Sequence, residues 1–444
     1  MRTAIVHGPL CPAGTLRVPG DKSISQRLAL LAPLADGCST IDGFLESEDC
    51  RHTLAAMQQL GGETRRDGAT LRIRGTGGKL QPPGQPLDMG NSGTGMRLLA
   101  GILAAQPFSS VLTGDASLSA RPMRRIADPL QRMGARLSLT GDRGGAPLTI
   151  RGGPLNAITY RLPVASAQVK SCVLLAGLFA NGRTTVVEPL PARDHTERLL
   201  QMAGAPIEVD GDRITIAGSG GAPLDLKPRN WHVPGDFSSA AFWMVAAMAP
   251  DADLRIENVG LNPRRTAFLD WMRRMGAAID VTGVEMPAAD RGEPAGCLHV
   301  RGTGSLRGTE TGGAEIPNLI DELPLVAVAG ALAEGSTRIR DAAELRVKES
   351  DRIAVMARNL ALMGVRVEEF PDGLRVEGCG GRVPGGCTVD SHGDHRMAMA
   401  MAVLAGFARQ PVTIRNTDCT ETSYPGFWQT MERMGAHVRF RHCG

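Results

Sequence analysis

The stretch from Glu344 to Arg352 carries three acids, Glu344, Glu349 and Asp351, and three cations, Arg346, Lys348 and Arg352. Ile353, Met356, Leu360 and Met363 then recur at helical spacing, which places these charges in the first turn of a helix. Glu349 and Arg352 are three apart and so are neighbours on that turn. Helix-start amides attract anions, and Lys348 and Arg352 add formal charge. A carboxylate held among such cations can transfer a proton beside a bound anion. Taken alone, the run also reads as a plain salt-bridged helix start.

Other polar turns carry related groups. Lys22, Ser23, Ser25 and Arg27 surround a helix start after Gly20. The turn Gly90 to Gly95 offers backbone amides that can approach an oxyanion closely, because glycine has no Cβ. It lacks the Gly-Lys-Ser/Thr ending of a nucleotide-binding P-loop. Arg121, Arg124 and Arg125 form a further cationic cluster, and Ser166, Ala167 and Gln168 supply hydroxyl, backbone and amide donors. Asp194 and Glu197, following Arg193, have capping-box spacing. Asp321 and Glu322 interrupt an apolar run, where a carboxylate is costly without a partner or a task. Asp394, His395 and Arg396 precede the last apolar helix, and His392 and His395 lack a matching cluster, so no metal is expected. The cations Lys22, Arg27, Arg121, Arg193, Lys348, Arg352 and Arg396, with the acids Asp321 and Glu349, suit a cleft for one or two small multiply charged anions.

These turns recur because the chain repeats. Six helices end in a Met- or Leu-rich tail and a glycine: Gly61, Gly134, Gly204, Gly276, Gly364 and Gly435, spaced 73, 70, 72, 88 and 71 residues apart. Each glycine is placed to end its helix in the left-handed conformation. A second, apolar helix follows each polar turn: Leu28 to Leu34, Met96 to Ala105, Ser171 to Phe179, Ala240 to Ala249, Leu323 to Leu332 and Met397 to Phe407. Helices apolar nearly all round are buried. One repeat is therefore helix, strand, helix, strands, and six copies suggest two globules of three.

The bulk composition agrees with a small-molecule site. A chain of 444 residues exceeds one ordinary core. With 4% aromatics and a net charge of +3, it has neither the exposed rings nor the basic stripe of a nucleic-acid or membrane-surface binder. Nine cysteines include no CxxC pair, which reads as free thiols in a reducing, cytoplasmic setting. The N-terminus has no secretory pattern, and no apolar run reaches membrane-spanning length.

Gly20 to Arg27, Gly90 to Thr94, Leu345 to Arg352 and Asp394 to Met399 together resemble the signatures of the 5-enolpyruvylshikimate-3-phosphate (EPSP) synthase family, in that family's order and over nearly the whole chain. Ser423, Tyr424 and Pro425 resemble its closing motif, and Ile316 to Glu322 the version in its more divergent bacterial branch. The resemblance implies an α/β fold of two inside-out α/β barrels. Each globule is three βαβαββ units, one about 20–235 and the other 1–19 with 236–444, with the active site between them. It implies transfer of the enolpyruvyl group of phosphoenolpyruvate to the 5-hydroxyl of shikimate 3-phosphate, by addition and elimination, in a monomer without cofactor. Carried over by motif, Asp321, Glu349 and Lys22 are the proton-transfer groups. Phosphoenolpyruvate falls to Lys22, Gly93, Arg121, Gln168, Arg352 and Arg396. Shikimate 3-phosphate falls to Lys22, Ser23, Arg27, Ser166, Ala167, Gln168, Arg193, Asp321 and Lys348. The resemblance also marks the enzyme as a target of glyphosate, an anion longer than phosphoenolpyruvate. Three positions depart from the family pattern: Gln26 replaces a His, Ala167 stands where many members have Ser, and Thr422 where many have Lys. The alternatives are the sister transferase acting on UDP-N-acetylglucosamine, which typically has Lys-Asn where this chain has Lys22 and Ser23, and an inactive anion-binding scaffold.

Overall fold

The computed structural model of the chain describes residues 2–141, 144–285 and 292–442. One copy of the repeat shows its wiring in unbroken chain order: Thr159–Arg161, helix Ala167–Gly177, Arg183–Val187, helix His195–Met202, Ile207–Asp210 and Arg213–Ala217. Thr159–Arg161 and Arg183–Val187 pair in parallel, which a crossover helix permits. Arg213–Ala217 runs antiparallel to both Arg183–Val187 and Ile207–Asp210. Among the described residues, six four-stranded sheets share this order of one parallel and two antiparallel pairings. The expected βαβαββ repeat is thus the architecture.

The chain divides into two compact units. One comprises Met1–Pro19, Gly235–Glu285 and Pro294–Gly444; the other comprises Gly20–Pro234 with a short piece ending at Glu293. Each unit has three of the sheets and three apolar helices at its core.

In the unit built on Gly20–Pro234 the inner helices are Lys22–Leu31, Gly93–Leu103 and Ala167–Gly177. A Cβ on Gly101 would stand 2.3 Å from the carbonyl oxygen of Cys172, so glycine is what lets the second and third helices approach this closely. The first sheet is closed by the last strand of the unit, Asn230–His232, which lies parallel to Cys38–Asp42.

In the other unit the inner helices are Phe237–Ala246, Leu323–Leu332 and His395–Ala405, buried along their whole length. Their near-uniform apolar character leaves no side for water. Two strands come from the beginning of the chain. Ala13–Arg17 pairs in parallel with Asp253–Gly260, and Arg2–His7 lies antiparallel between Val412–Arg415 and His437–His442. Trp243 donates its indole N–H to Tyr424 Oη at 2.9 Å and packs with Phe427, fixing the chain after the last inner helix.

All six repeat glycines have positive φ, from 83° at Gly204 to 105° at Gly134. Each ends the second, amphipathic helix of its repeat, as the spacing predicts. Five of the six inner helices begin earlier than their apolar runs do, because polar caps start them, while the sixth begins at Leu323 with its run. Asp21, Ser92, Ser166, Asp236 and Asp394 each accept a backbone N–H of the first turn.

Two local expectations are corrected. The charges from Glu344 to Asp351 do not occupy the first turn of a helix. Ala343–Val347 is a short 3-10 turn, Lys348 is extended, and the helix runs Arg352–Leu362. Its start is set by Asp351, whose carboxylate caps Ala354 N at 3.0 Å. Asp194 and Glu197 do not form a capping box. Asp194 accepts from Arg198 Nε at 2.9 Å and makes no cap bond, while Glu197 turns inward to Lys170.

Candidate active site

Three helix starts are tied together by side chains in the Gly20–Pro234 unit. Gln26 of the first helix donates to Ser92 Oγ, the cap of the second. Gln168, at the start of the third, donates to Thr94 Oγ1 at 2.9 Å and accepts from Arg97 NH1 at 2.6 Å. Arg121 fixes the turn before the second helix, donating to Asn91 O at 3.2 Å and to Asn91 Oδ1 at 2.6 Å. Gly93 sits against both cations, since a Cβ there would lie 2.9 Å from Arg97 NH1 and 3.1 Å from Arg121 NH1. The glycine turn therefore brings backbone amides and two guanidinium groups to one place.

Lys22 and Ser23 open the first helix, and Lys22 Nζ lies 3.2 Å from Asp49 Oδ2. Arg27 is one turn further on and buried. It donates to Thr196 Oγ1 at 2.7 Å, Ser23 O at 2.9 Å and Ser171 Oγ at 3.2 Å. Burial lowers its pKa to about 10 against the pull of Glu197 and Asp21, and it stays charged at neutral pH. Arg193 adds to that lowering, so two cations stand close to one another here. Ser166 caps the third inner helix at Val169 N, 3.4 Å away, and Ala167 is its first residue.

In the other unit four of the sequence-derived residues meet around one buried guanidinium. Arg352 Nε donates to Asp394 Oδ2 at 2.7 Å and NH2 to Glu349 Oε2 at 2.6 Å, while NH1 lies 3.6 Å from Asp321 Oδ1. Arg352 NH1 has no hydrogen-bond acceptor among the described residues. Burial opposes this charge, but Asp394, Glu349 and Asp321 outweigh it and hold the group above its usual range. Arg396 NH1 donates to Asp321 O at 2.8 Å, and NH2 lies 3.2 Å from Asp321 Oδ2. Lys348 Nζ is 3.6 Å from Glu344 Oε1. Burial of the ammonium lowers the Lys348 pKa, with Glu344, Asp321 and Glu349 opposing and Arg352 adding to the shift.

A second ring holds these side chains in place. Ser238, at the start of its inner helix, donates to Glu322, accepts from Arg265 NH2 at 2.8 Å and lies 3.4 Å from Arg396 NH2. Three helix starts are thereby joined in this unit as in the other. Each unit gathers cations at the positive ends of three helices, an arrangement that binds phosphate and carboxylate oxygens. Among the described residues no group of three or more His, Cys, Asp and Glu side chains could hold a metal ion.

This arrangement coincides with one family along the chain: residues 9–431 match the model described as EPSP synthase (3-phosphoshikimate 1-carboxyvinyltransferase). The chain belongs to the EPSP synthase family. It is 52% identical to the 3-phosphoshikimate 1-carboxyvinyltransferase of Akkermansia muciniphila over 423 residues, covering 93% of this chain and 95% of that one. The same enzyme of Salinibacter ruber is 52% identical over 427 residues, 95% and 96% of the two chains. The solved EPSP synthase of Acinetobacter baumannii superposes with a TM-score of 0.85 at 43% identity, over 99% of this chain and 100% of that one. The enolpyruvyl transferase NikO of Streptomyces tendae, at 21% identity, covers 100% of this chain and 99% of that one with a TM-score of 0.79, and speaks for the fold alone.

Several residues of this EPSP synthase site escape a reading of motifs. Arg97 is a lone cation inside an apolar helix, a signal present in the sequence. Ser238 emerges only as a partner of Glu322 and Arg396, Arg265 only as a partner of Ser238, and Asp394, noted in its polar turn, gains its part only as the partner of Arg352. Two of the three departures, Gln26 and Thr422, find partners within the protein. Gln26 spends its amide on Ser92, and Thr422 Oγ1 donates to Cys419 O at 2.7 Å and lies 3.4 Å from His395 Nδ1.

Proposed function

We infer that this chain acts as a 3-phosphoshikimate 1-carboxyvinyltransferase through the residues gathered at its helix starts. The acceptor's 5-hydroxyl oxygen bonds to C2 of phosphoenolpyruvate while the methylene carbon gains a proton. Loss of a methyl proton and of phosphate then restores the double bond. Asp321 takes the hydroxyl proton, and Glu349 or Lys22 serves the methylene carbon. Lys22, the Gly93 amide, Arg121, Gln168, Arg352 and Arg396 hold phosphoenolpyruvate. Lys22, Ser23, Arg27, Ser166, the Ala167 backbone, Gln168, Arg193, Asp321 and Lys348 hold shikimate 3-phosphate. The acceptor groups thus belong mainly to the Gly20–Pro234 unit. The acid–base groups, Lys22 apart, belong to the other unit.

The observation that carries this division is the cluster of Asp321, Glu349, Arg352 and Arg396, where two acids lie within 4 Å of guanidinium groups at helix starts. The chemistry needs such acids next to fixed positive charge: proton transfer by a positioned carboxylate contributes about 10²–10⁴-fold, and preorganised cations stabilise the charge that develops. Arg352 NH1, with hydrogen-bonding capacity left, supports the phosphoenolpyruvate assignment. No helix among the described residues is long and apolar enough to cross a membrane. A cytoplasmic, monomeric enzyme is the reading we favour, supported by cysteines without a pairing pattern.

The test is phosphate release on mixing both substrates. We expect turnover with the natural chain and a loss of about 10²–10⁴-fold in kcat for Asp321→Asn, at unchanged melting temperature. A folded protein that releases no phosphate, or an Asp321→Asn variant of full activity, overturns the assignment.

A further inference from the structure

Lys170 lies in the middle of an inner apolar helix and takes no part in the steps above. Its side chain is 0% exposed, with Nζ 2.7 Å from Glu188 Oε1 and 2.5 Å from Glu197 Oε1, themselves 3% and 4% exposed. Nζ also reaches Ala192 O at 3.4 Å, while Glu188 Oε1 accepts from Ala192 N at 3.1 Å. One ion pair thus grips residue 192 by both its amide and its carbonyl. The next residue is Arg193.

The same network touches the other acceptor-side cation. Thr196, beside Glu197 in the chain, accepts from Arg27 Nε at 2.7 Å and exchanges a hydrogen bond with Ser171 Oγ at 2.6 Å. Ser171 follows Lys170 and itself accepts from Arg27 NH2 at 3.2 Å. Burial pushes the Glu197 carboxyl up against the pull of Lys170. Buried ion groups are often no more stabilising than apolar groups of equal volume. Stability is therefore a poor account of three ionisable side chains in an apolar core, whereas the pose of a turn is a good one.

We propose that Lys170, Glu188 and Glu197 are a positioning triad that holds the turn before the His195–Met202 helix, so that Arg193 meets shikimate 3-phosphate in a single pose. The proposal rests on the reading of Arg27 and Arg193 as acceptor-binding groups. The triad itself touches no substrate. It fixes the Ala192 peptide, and through it the direction in which the Arg193 side chain leaves the backbone.

The experiment uses the full chain with Lys170→Met, Glu188→Met and Glu197→Gln combined, which removes the charges at nearly constant volume. The KM for shikimate 3-phosphate is expected to rise about tenfold or more, with kcat and the KM for phosphoenolpyruvate little changed. In an Arg193→Ala background the same triple change is expected to add little, because contacting residues acting through one group are not additive. Glu188→Gln alone is the gentler variant should the triple fail to fold, with a smaller rise and the same loss of effect in Arg193→Ala. An unchanged KM for shikimate 3-phosphate, equal rises in both KM values, or full additivity with Arg193→Ala overturns the triad's role. Should Arg193→Ala by itself leave that KM unaltered, the acceptor reading fails first and the triad with it.

Discussion

At Gly93 a side chain would compete with two cations for one place. A Cβ there falls 2.9 Å from Arg97 NH1 and 3.1 Å from Arg121 NH1, both ends of flexible side chains. Gly93→Ala is therefore expected to fold normally and to raise the KM for phosphoenolpyruvate about tenfold, near 1.4 kcal/mol, read by steady-state kinetics beside a melting curve. Lys348 gives a pH prediction. Its pKa lies below the ordinary 10.5, so the ammonium is present at lower pH and is lost as pH rises through the lowered value. Binding that needs this charge weakens on the alkaline side earlier than a free lysine would allow. Arginine keeps its charge there, so Lys348→Arg should move the alkaline limb of kcat/KM for shikimate 3-phosphate upward. An identical limb in both proteins would remove Lys348 from that site. Which residues bear charge at helix starts was legible from sequence, because Lys22, Arg352 and Arg396 stand in polar turns before apolar runs. The partners were not. Asp394 holds Arg352 from 42 positions away, and Ser238 stands 158 positions from Arg396. No local pattern carries such a pairing.

At the scale of elements, close helix packing sets where the functional turns lie. Gly101 faces the backbone of Cys172 at a separation that no Cβ tolerates. Backbone cannot swing aside as a side chain can, so Gly101→Ala should cost about 3 kcal/mol or more, at or beyond the top of the usual overpacking range. Gly153 meets nothing within 4 Å, and Gly153→Ala should stay within about 0.5 kcal/mol of the natural chain. Urea unfolding midpoints of the two variants check both. The six helix-ending glycines were readable because a left-handed residue is a local demand. The helix starting at Arg352 was misplaced for an equally local reason. A charged run before an apolar ladder fits a first turn, and only the Asp351 carboxylate on Ala354 N shows that the chain enters the helix later. Asp194 failed as a cap because Arg198, one turn on, offered it a charged donor.

Over the whole molecule, the order of strands along the chain is not the order in space. Arg2–His7 lies inside the last sheet, with Ala4 and Val6 fully buried, and its removal strips a shared partner from two strands at the other end of the chain. A chain lacking residues 2–7 should therefore expose the unit containing Pro294–Gly444 to limited proteolysis while Gly20–Pro234 stays resistant, since each unit has its own core. Equal resistance of both would show that the strand is dispensable. Period, burial of the inner helices, helix ends and the family's motifs were determined by sequence alone, because each depends on residues within a turn or two of one another. Tertiary structure decided which cation faces which carboxylate, where Arg352 enters its helix, and that Lys170 grips the turn before Arg193. These follow from packing between segments far apart in the chain, where the free energy of a buried charge depends on every group brought against it.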